Sequence, residues 1–121
     1  MKKIMVVDDE ESMRELIRAI METSGYSVTT AVDGNDCIEK LRKEKPDLVI
    51  MDMMMPGMTG KETVEKIRSN PKTRDIKVMF LTVTTFSDIR KDEIKKLTVS
   101  DYVLKPFDNE DFLKRVSKAL K

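Results

Sequence analysis

Five short apolar runs, each followed by a longer stretch with helical spacing, constrain this chain more than any other feature. Lys3–Val7, Ser27–Ala31, Asp47–Met51, Ile76–Thr82 and Val99–Leu104 are compact and largely β-branched or apolar, which predicts strands. Glu11–Ser24 places Met13, Leu16, Ile17, Ile20 and Met21 on one helical stripe, with Gly25 just beyond as a C-cap. Asp33-Gly34-Asn35 punctuates, and Asp36–Lys45 is predicted as a helix stopped before Pro46. A loop over Asp52–Thr59 follows the third strand. Thr59 and Glu62 then match a capping box, and Pro71 forces the third helix to end near Asn70. A fourth helix is expected over Ser87–Leu97, with Phe86, Ile89, Ile94 and Leu97 as its stripe. Asp108 caps a fifth helix, with Glu110 and Asp111 in its first turn and Leu113, Val116 and Leu120 on its buried face. Strand–helix alternation of this kind predicts an α/β, doubly wound parallel sheet covered on both faces. Strands one, three, four and five read as buried; strand two alternates more and suits an edge. The 121 residues fit a single domain over 1–121, either a whole small protein or a cleanly bounded unit.

Charge and residue usage remove several classes of function. Lys and Arg total 23 against 22 Asp and Glu, so the net charge is +1 and direct nucleic-acid binding is not expected. One cysteine, Cys37, permits no internal disulfide and no multi-cysteine metal site, and it reads as a plain helix residue. There is no histidine, so the commonest general base and metal ligand are missing. No run of eighteen apolar residues spans a membrane, and Asp8-Asp9 interrupts any signal-peptide core, so a cytoplasmic location is expected.

The chemistry-bearing residues stand at strand ends. Asp8 and Asp9 close the first strand, Asp52 the third, Thr82 the fourth and Lys105 the fifth. In a parallel sheet these carboxyl ends share one edge, where ligands bind. Taken singly, an acid after a strand caps the next helix, a terminal Thr is only β-branched, and a lone Lys is solvated. Together they deliver three acids, a hydroxyl and an amine to one crevice. Three converging carboxylates repel one another unless cations compensate. Oxygen ligands without His or Cys favour a hard ion, Mg2+ over Zn2+.

Four segments in order, Val6-Val7-Asp8-Asp9-Glu10, Asp47–Gly60, Phe80-Leu81-Thr82 and Asp101–Phe107, resemble the receiver domain of two-component response regulators. Thirty residues separate Asp52 from Thr82, and twenty-three separate Thr82 from Lys105, which fits that family. The resemblance spans essentially the whole chain. It implies a flavodoxin-like five-stranded sheet in the order 2-1-3-4-5. It implies that Asp52 is the nucleophile taking a phosphoryl group from a phosphohistidine. Asp9 and Asp52 would hold Mg2+ directly, Asp8 through water, and the backbone carbonyl of Met54 would complete the set. Lys105 would pair with Asp52 at rest, Thr82 would donate its hydroxyl to the phosphoryl group, and Tyr102 would change rotamer as Thr82 moves. Lys105-Pro106 would be a cis peptide. Phosphorylation would switch the face made by the fourth helix, the fifth strand and the fifth helix. The implied partners are a sensor histidine kinase or histidine phosphotransfer domain and a downstream effector protein, with the chain a monomer or weak dimer.

The chain departs from the family pattern in places. Val83 follows Thr82 where a small residue is usual, and Met54 and Thr84 are poorly suited to aligning water, so slow self-dephosphorylation is expected. Thr98-Val99 stands where the family often has Gly-Ala. Met53, Met54, Met55 and Met58 crowd one loop, as local packing or as an adaptable apolar rim for a kinase. Arg90, Lys91, Lys95 and Lys96 make the fourth helix basic, either a solvated face or a surface for an acidic partner. The rival enzyme reading is an aspartate-nucleophile phosphatase of haloacid-dehalogenase type. It wants a second Asp two residues after the nucleophile, where this chain has Met54. A nucleotide- or flavin-binding role ranks lower, since no Gly-rich loop follows the first strand.

Overall fold

The structure, a computed structural model, describes residues 1–83 and 96–121. The fourth predicted helix, with Thr84 and the basic residues Arg90, Lys91 and Lys95, lies outside the described residues except at its last positions, Lys96 and Leu97. Five strands, β1 (Lys3–Val7), β2 (Ser27–Ala31), β3 (Leu48–Met51), β4 (Val78–Thr82) and β5 (Asp101–Leu104), form one sheet. All neighbours are parallel, in the order β2-β1-β3-β4-β5, as expected. The described helices are α1 (Glu11–Thr23), α2 (Gly34–Leu41), α3 (Gly60–Ser69) and α4 (Asn109–Ala119), the last being the C-terminal helix. None of the described helices is long and apolar enough to cross a membrane.

The period of two along each strand splits the core. Met5, Val7, Val49, Met51, Val78 and Phe80 face α2 and α3. Ile4, Val6, Leu48, Ile50, Met79 and Leu81 face α1 and the C-terminal helix. Both sets are buried, which is why these strands carry unbroken apolar runs. Each fully buried large side chain contributes roughly 1.5–3 kcal/mol. β2 is an edge, as its alternation predicted. β5 is the other edge, contrary to its reading as buried: Asp101 is half-buried and Leu104 exposed, because only one neighbour flanks them.

Helix ends follow local chemistry. Gly25, at φ +92°, closes α1 in a Schellman arrangement: Tyr26 N–H donates to the Met21 carbonyl and Gly25 N–H to that of Glu22. Thr59 and Glu62 form the expected capping box on α3. The boundary of α2 needs correction. It runs Gly34–Leu41, not Asp36–Lys45, because the Asp33 carboxylate accepts from Asp36 N–H and caps the helix two residues earlier. Its C-terminal end gives way to tight turns before Pro46. Two apolar assignments also change. Leu16 is exposed on α1, and Phe112, not Leu113 or Leu120, joins Val116 as the fully buried pair on α4. Phe112 packs against Phe107, ring centroids 4.6 Å apart.

Thr98 takes φ +55°, a left-handed conformation that a β-branched residue rarely adopts. Arg68 holds it there. Its guanidinium donates to the carbonyls of Leu97, Arg74, Ile76 and Thr98, tying the end of α3 to both flanks of β4.

Cys37 is fully buried on α2, and burial first, then the Asp36 charge, pushes its thiol up to about 12. Above pH ~9 the unfolded chain releases this proton while the folded chain keeps it, so stability falls as pH rises until the folded thiol titrates. Between pH ~9 and ~11 the wild type is expected to lose about 1.4 kcal/mol per pH unit more than Cys37→Ala. Urea melts of both proteins under reducing conditions measure this; equal slopes would refute it.

Candidate functional site

The sheet ladder itself delivers the site. Just past β1, Asp8 N–H donates to the Ala31 carbonyl; just past β3, Asp52 N–H donates to that of Val7; just past β5, Lys105 N–H donates to that of Thr82. Each chemistry-bearing residue is therefore the next rung of an ordered strand, all on one edge. Asp8 and Asp52 are 2% and 6% exposed, and Thr82 is fully buried.

Lys105 Nζ lies 2.9 Å from Asp8 Oδ2 and 3.4 Å from Asp52 Oδ2. The expected pairing with Asp52 is present, but the ammonium is shared and sits nearer Asp8. The second oxygens are held by the backbone: Asp8 Oδ1 accepts from Glu10 N–H and Asp52 Oδ1 from Met54 N–H, each at 3.0 Å. The Thr82 hydroxyl also hydrogen-bonds Asp52. Burial pushes the Asp52 carboxyl above its ordinary range, against the Met54 N–H and the Lys105 charge, which pull it down, while the Asp8 charge adds to the rise. Burial opposes the Lys105 ammonium, but its hydrogen bond to Asp8 and the charges of Asp52 and Asp8 outweigh it and raise its titration. No described buried side-chain polar atom lacks a partner.

Asp9 is exposed at the rim. One carboxylate oxygen from each of Asp8, Asp9 and Asp52 lies within 4.8 Å of the others. Three hard oxygen donors so spaced suit a divalent cation of the Mg2+ class. Lys105-Pro106 is cis, as expected. Tyr102 is buried on β5, edge-on to Phe80 with centroids 6.2 Å apart. In the methionine loop Met53 and Met55 are packed inside, whereas Met54 is 57% exposed, two residues past Asp52.

Two positioning residues carried no sequence signal. Arg14 Nη1 donates to the Asp8 carbonyl at 2.7 Å, anchoring α1 under the acid pair. At Gly60 a Cβ would fall 2.5 Å from the Asp52 carbonyl oxygen and 2.7 Å from Met53 Cα. Glycine thus lets the start of α3 lie against the strand end that carries Asp52, where Gly60 N–H donates to the Met53 carbonyl at 2.8 Å.

The comparisons agree with this geometry. The sequence profile of the response regulator receiver domain matches residues 4–117. The alkaline phosphatase synthesis transcriptional regulatory protein PhoP of Bacillus subtilis is 38% identical over 123 residues, covering 99% of this chain and 49% of that protein. The chain thus spans about half the length of this curated relative. Chemotaxis protein CheY4 of Vibrio cholerae superposes with a TM-score of 0.90 at 33% identity, covering 98% of each chain. Response regulator TrrA of Thermotoga maritima, solved in complex with Mg(2+)-BeF, does so at 0.85 and 34% identity, covering 98% of this chain and 99% of that one. None of this supports the haloacid-dehalogenase alternative. An aspartate at the tip of the middle strand, held by a shared lysine beside two further acids, belongs to a matched span of nearly the full chain: the chain is a member of the response regulator receiver domain family, with a phospho-acceptor role in signalling.

Proposed function

We propose that Asp52 accepts the phosphoryl group, from a phosphohistidine on a sensor histidine kinase or histidine phosphotransfer domain, and that residues 1–121 act as one receiver unit. The observation that carries this is the Lys105 ammonium bridging buried Asp8 and Asp52, with Asp9 close to both. An Asp52 carboxylate oxygen attacks phosphorus, the P–N bond breaks, and the leaving imidazole keeps the electron pair. Lys105 neutralises charge building on the phosphoryl oxygens, and the Thr82 hydroxyl donates to one of them. Asp8, Asp9, Asp52 and the Met54 carbonyl would hold Mg2+, which when bound supplies charge neutralisation that three carboxylates and one ammonium lack. Met54, Val83 and Leu104 are exposed beside Asp52, Thr82 and Lys105, an apolar rim on which a phosphodonor domain can seat.

The new negative charge is read by Thr82 and Lys105, and buried Tyr102 on β5 relays it toward the face that β5 shares with the C-terminal helix and the segment before it, where a downstream effector binds. The chain acts as a phospho-accepting module, a monomer or weak dimer, with slow self-dephosphorylation. We place the exchange in the cytoplasm on family grounds alone.

Incubation with acetyl phosphate and Mg2+, followed by intact mass, tests the acceptor. One added phosphoryl group is expected in the wild type and none in Asp52→Asn; uptake by the variant would assign the acceptor elsewhere. Met54→Asn places an amide beside the phosphoryl group to orient water. It is expected to speed decay of the phosphorylated form, and an unchanged half-life would count against Met54 as the cause of slow loss.

A further inference from the structure

A cavity of about 580 Å³ opens between the C-terminal ends of α2 and α3. Both helices start at the edge that carries Asp52, so this cavity lies at the opposite edge of the sheet. The ten residues of α3 alone span roughly 15 Å. Five cations line it, Arg42, Lys43, Lys45, Lys66 and Lys72, against one acid, Glu44. Ile38 and Leu41 supply its apolar part. Within the described residues none of the five cations forms an ion pair. Two helix C-termini together offset about one positive charge. Lys66, in the last turn of α3, serves that purpose. The remaining excess is matched by no ion pair among the described residues, in a chain whose net charge is only +1.

We propose that this cavity binds a small molecule carrying two or more phosphate groups, recognised by charge and without a nucleobase. Its volume lies in the range of small-ligand sites. Four of the five cations are lysines, compact point charges that follow a phosphate without fixed bidentate geometry. No aromatic side chain lines the cavity, so a base has nothing to stack on, and a nucleic-acid strand would lack its usual platform. Cations gathered around one mouth suit charges clustered on one molecule. The carboxylates of an extended acidic peptide are spread by about 3.3 Å per residue along its length.

The test is a titration of the wild-type chain and of Asp52→Asn with sodium tripolyphosphate in Mg2+-free buffer, followed by amide NMR. Saturable shifts around Leu41 and Thr73, equal in both proteins, are expected, so the result does not depend on the assignment of Asp52. Combining Lys43→Gln, Lys66→Gln and Lys72→Gln should weaken binding at least about tenfold; Lys72→Gln alone, outside any helix or strand, should weaken it roughly threefold. A nucleoside triphosphate should bind within about threefold of tripolyphosphate, whereas a preference beyond about tenfold would show a base being read and overturn the proposal. It is also overturned if shifts are non-saturable, if the lysine variants bind as the wild type does, or if only duplex DNA or an acidic peptide produces the response.

Discussion

Replacing Lys105 with Ala is expected to destabilise the metal-free protein by about 3 kcal/mol at neutral pH and to slow phosphoryl uptake from acetyl phosphate by about a hundredfold. The ammonium is almost wholly buried and touches two buried carboxylates. Removing it leaves both without their cation in a medium that solvates them poorly, so the loss exceeds that of a surface pair. The raised Lys105 titration sets the alkaline limit. Its stabilisation is complete below the unfolded value near ~10.4 and disappears as pH rises through the higher folded value. On the acid side, Asp52 already takes up its proton more readily than an ordinary carboxyl, chiefly through burial. Once Asp52 is protonated, the ammonium keeps only one of its two charged partners. The gap between wild type and Lys105→Ala should therefore narrow as pH falls toward ~4. Urea unfolding in EDTA at neutral and acid pH measures both points; a gap that is absent at pH ~7, or that widens in acid, contradicts the shared-lysine picture.

A comparable loss is expected from Gly60→Ala, for a different reason. The added methyl would collide with backbone atoms of Asp52 and Met53, not with the end of a flexible side chain. Either α3 lifts away or the end of β3 moves, and Met51, Val64 and Ile67 pack in that same layer. Overpacking of this kind costs typically 1–3 kcal/mol, and a backbone collision sits at the upper end. Because the displaced atoms carry Asp52, phosphoryl uptake should fall along with stability. Alanine introduced at Lys61, one residue on, is the control, since it adds no atom near the strand end. A Gly60→Ala protein that melts and accepts phosphoryl like the wild type would show that the approach of α3 to β3 has slack.

The candidate site was legible because it depends on position at strand ends. Once five apolar runs alternate with helices, a parallel sheet follows, and residues just past each run must meet at one edge. Asp8, Asp9, Asp52, Thr82 and Lys105 needed nothing more. Gly60 was not legible, because a glycine after a capping threonine looks like any helix start; its meaning lies in the backbone just past β3, seven and eight residues earlier. Arg14 reads as one more charge on an amphipathic helix, although it holds the Asp8 carbonyl. Thr98 in a left-handed turn runs against local preference and is held by Arg68, thirty residues away in the chain.

What the sequence by itself determined is periodic and local: the strands, the caps at Thr59 and Asp108, the edge character of β2, and the acids, hydroxyl and amine at strand ends. Tertiary structure alone decided how those parts share charge and space. Lys105 sits nearer Asp8 than Asp52, Phe112 is fully buried in the core that Leu113 only partly enters, β5 ends as an edge, and five cations line the cavity at the far ends of α2 and α3. Periodicity fixes which face a residue occupies along its own element, whereas distances between elements follow from how helices dock on the sheet, through close contacts that no single stretch of chain encodes.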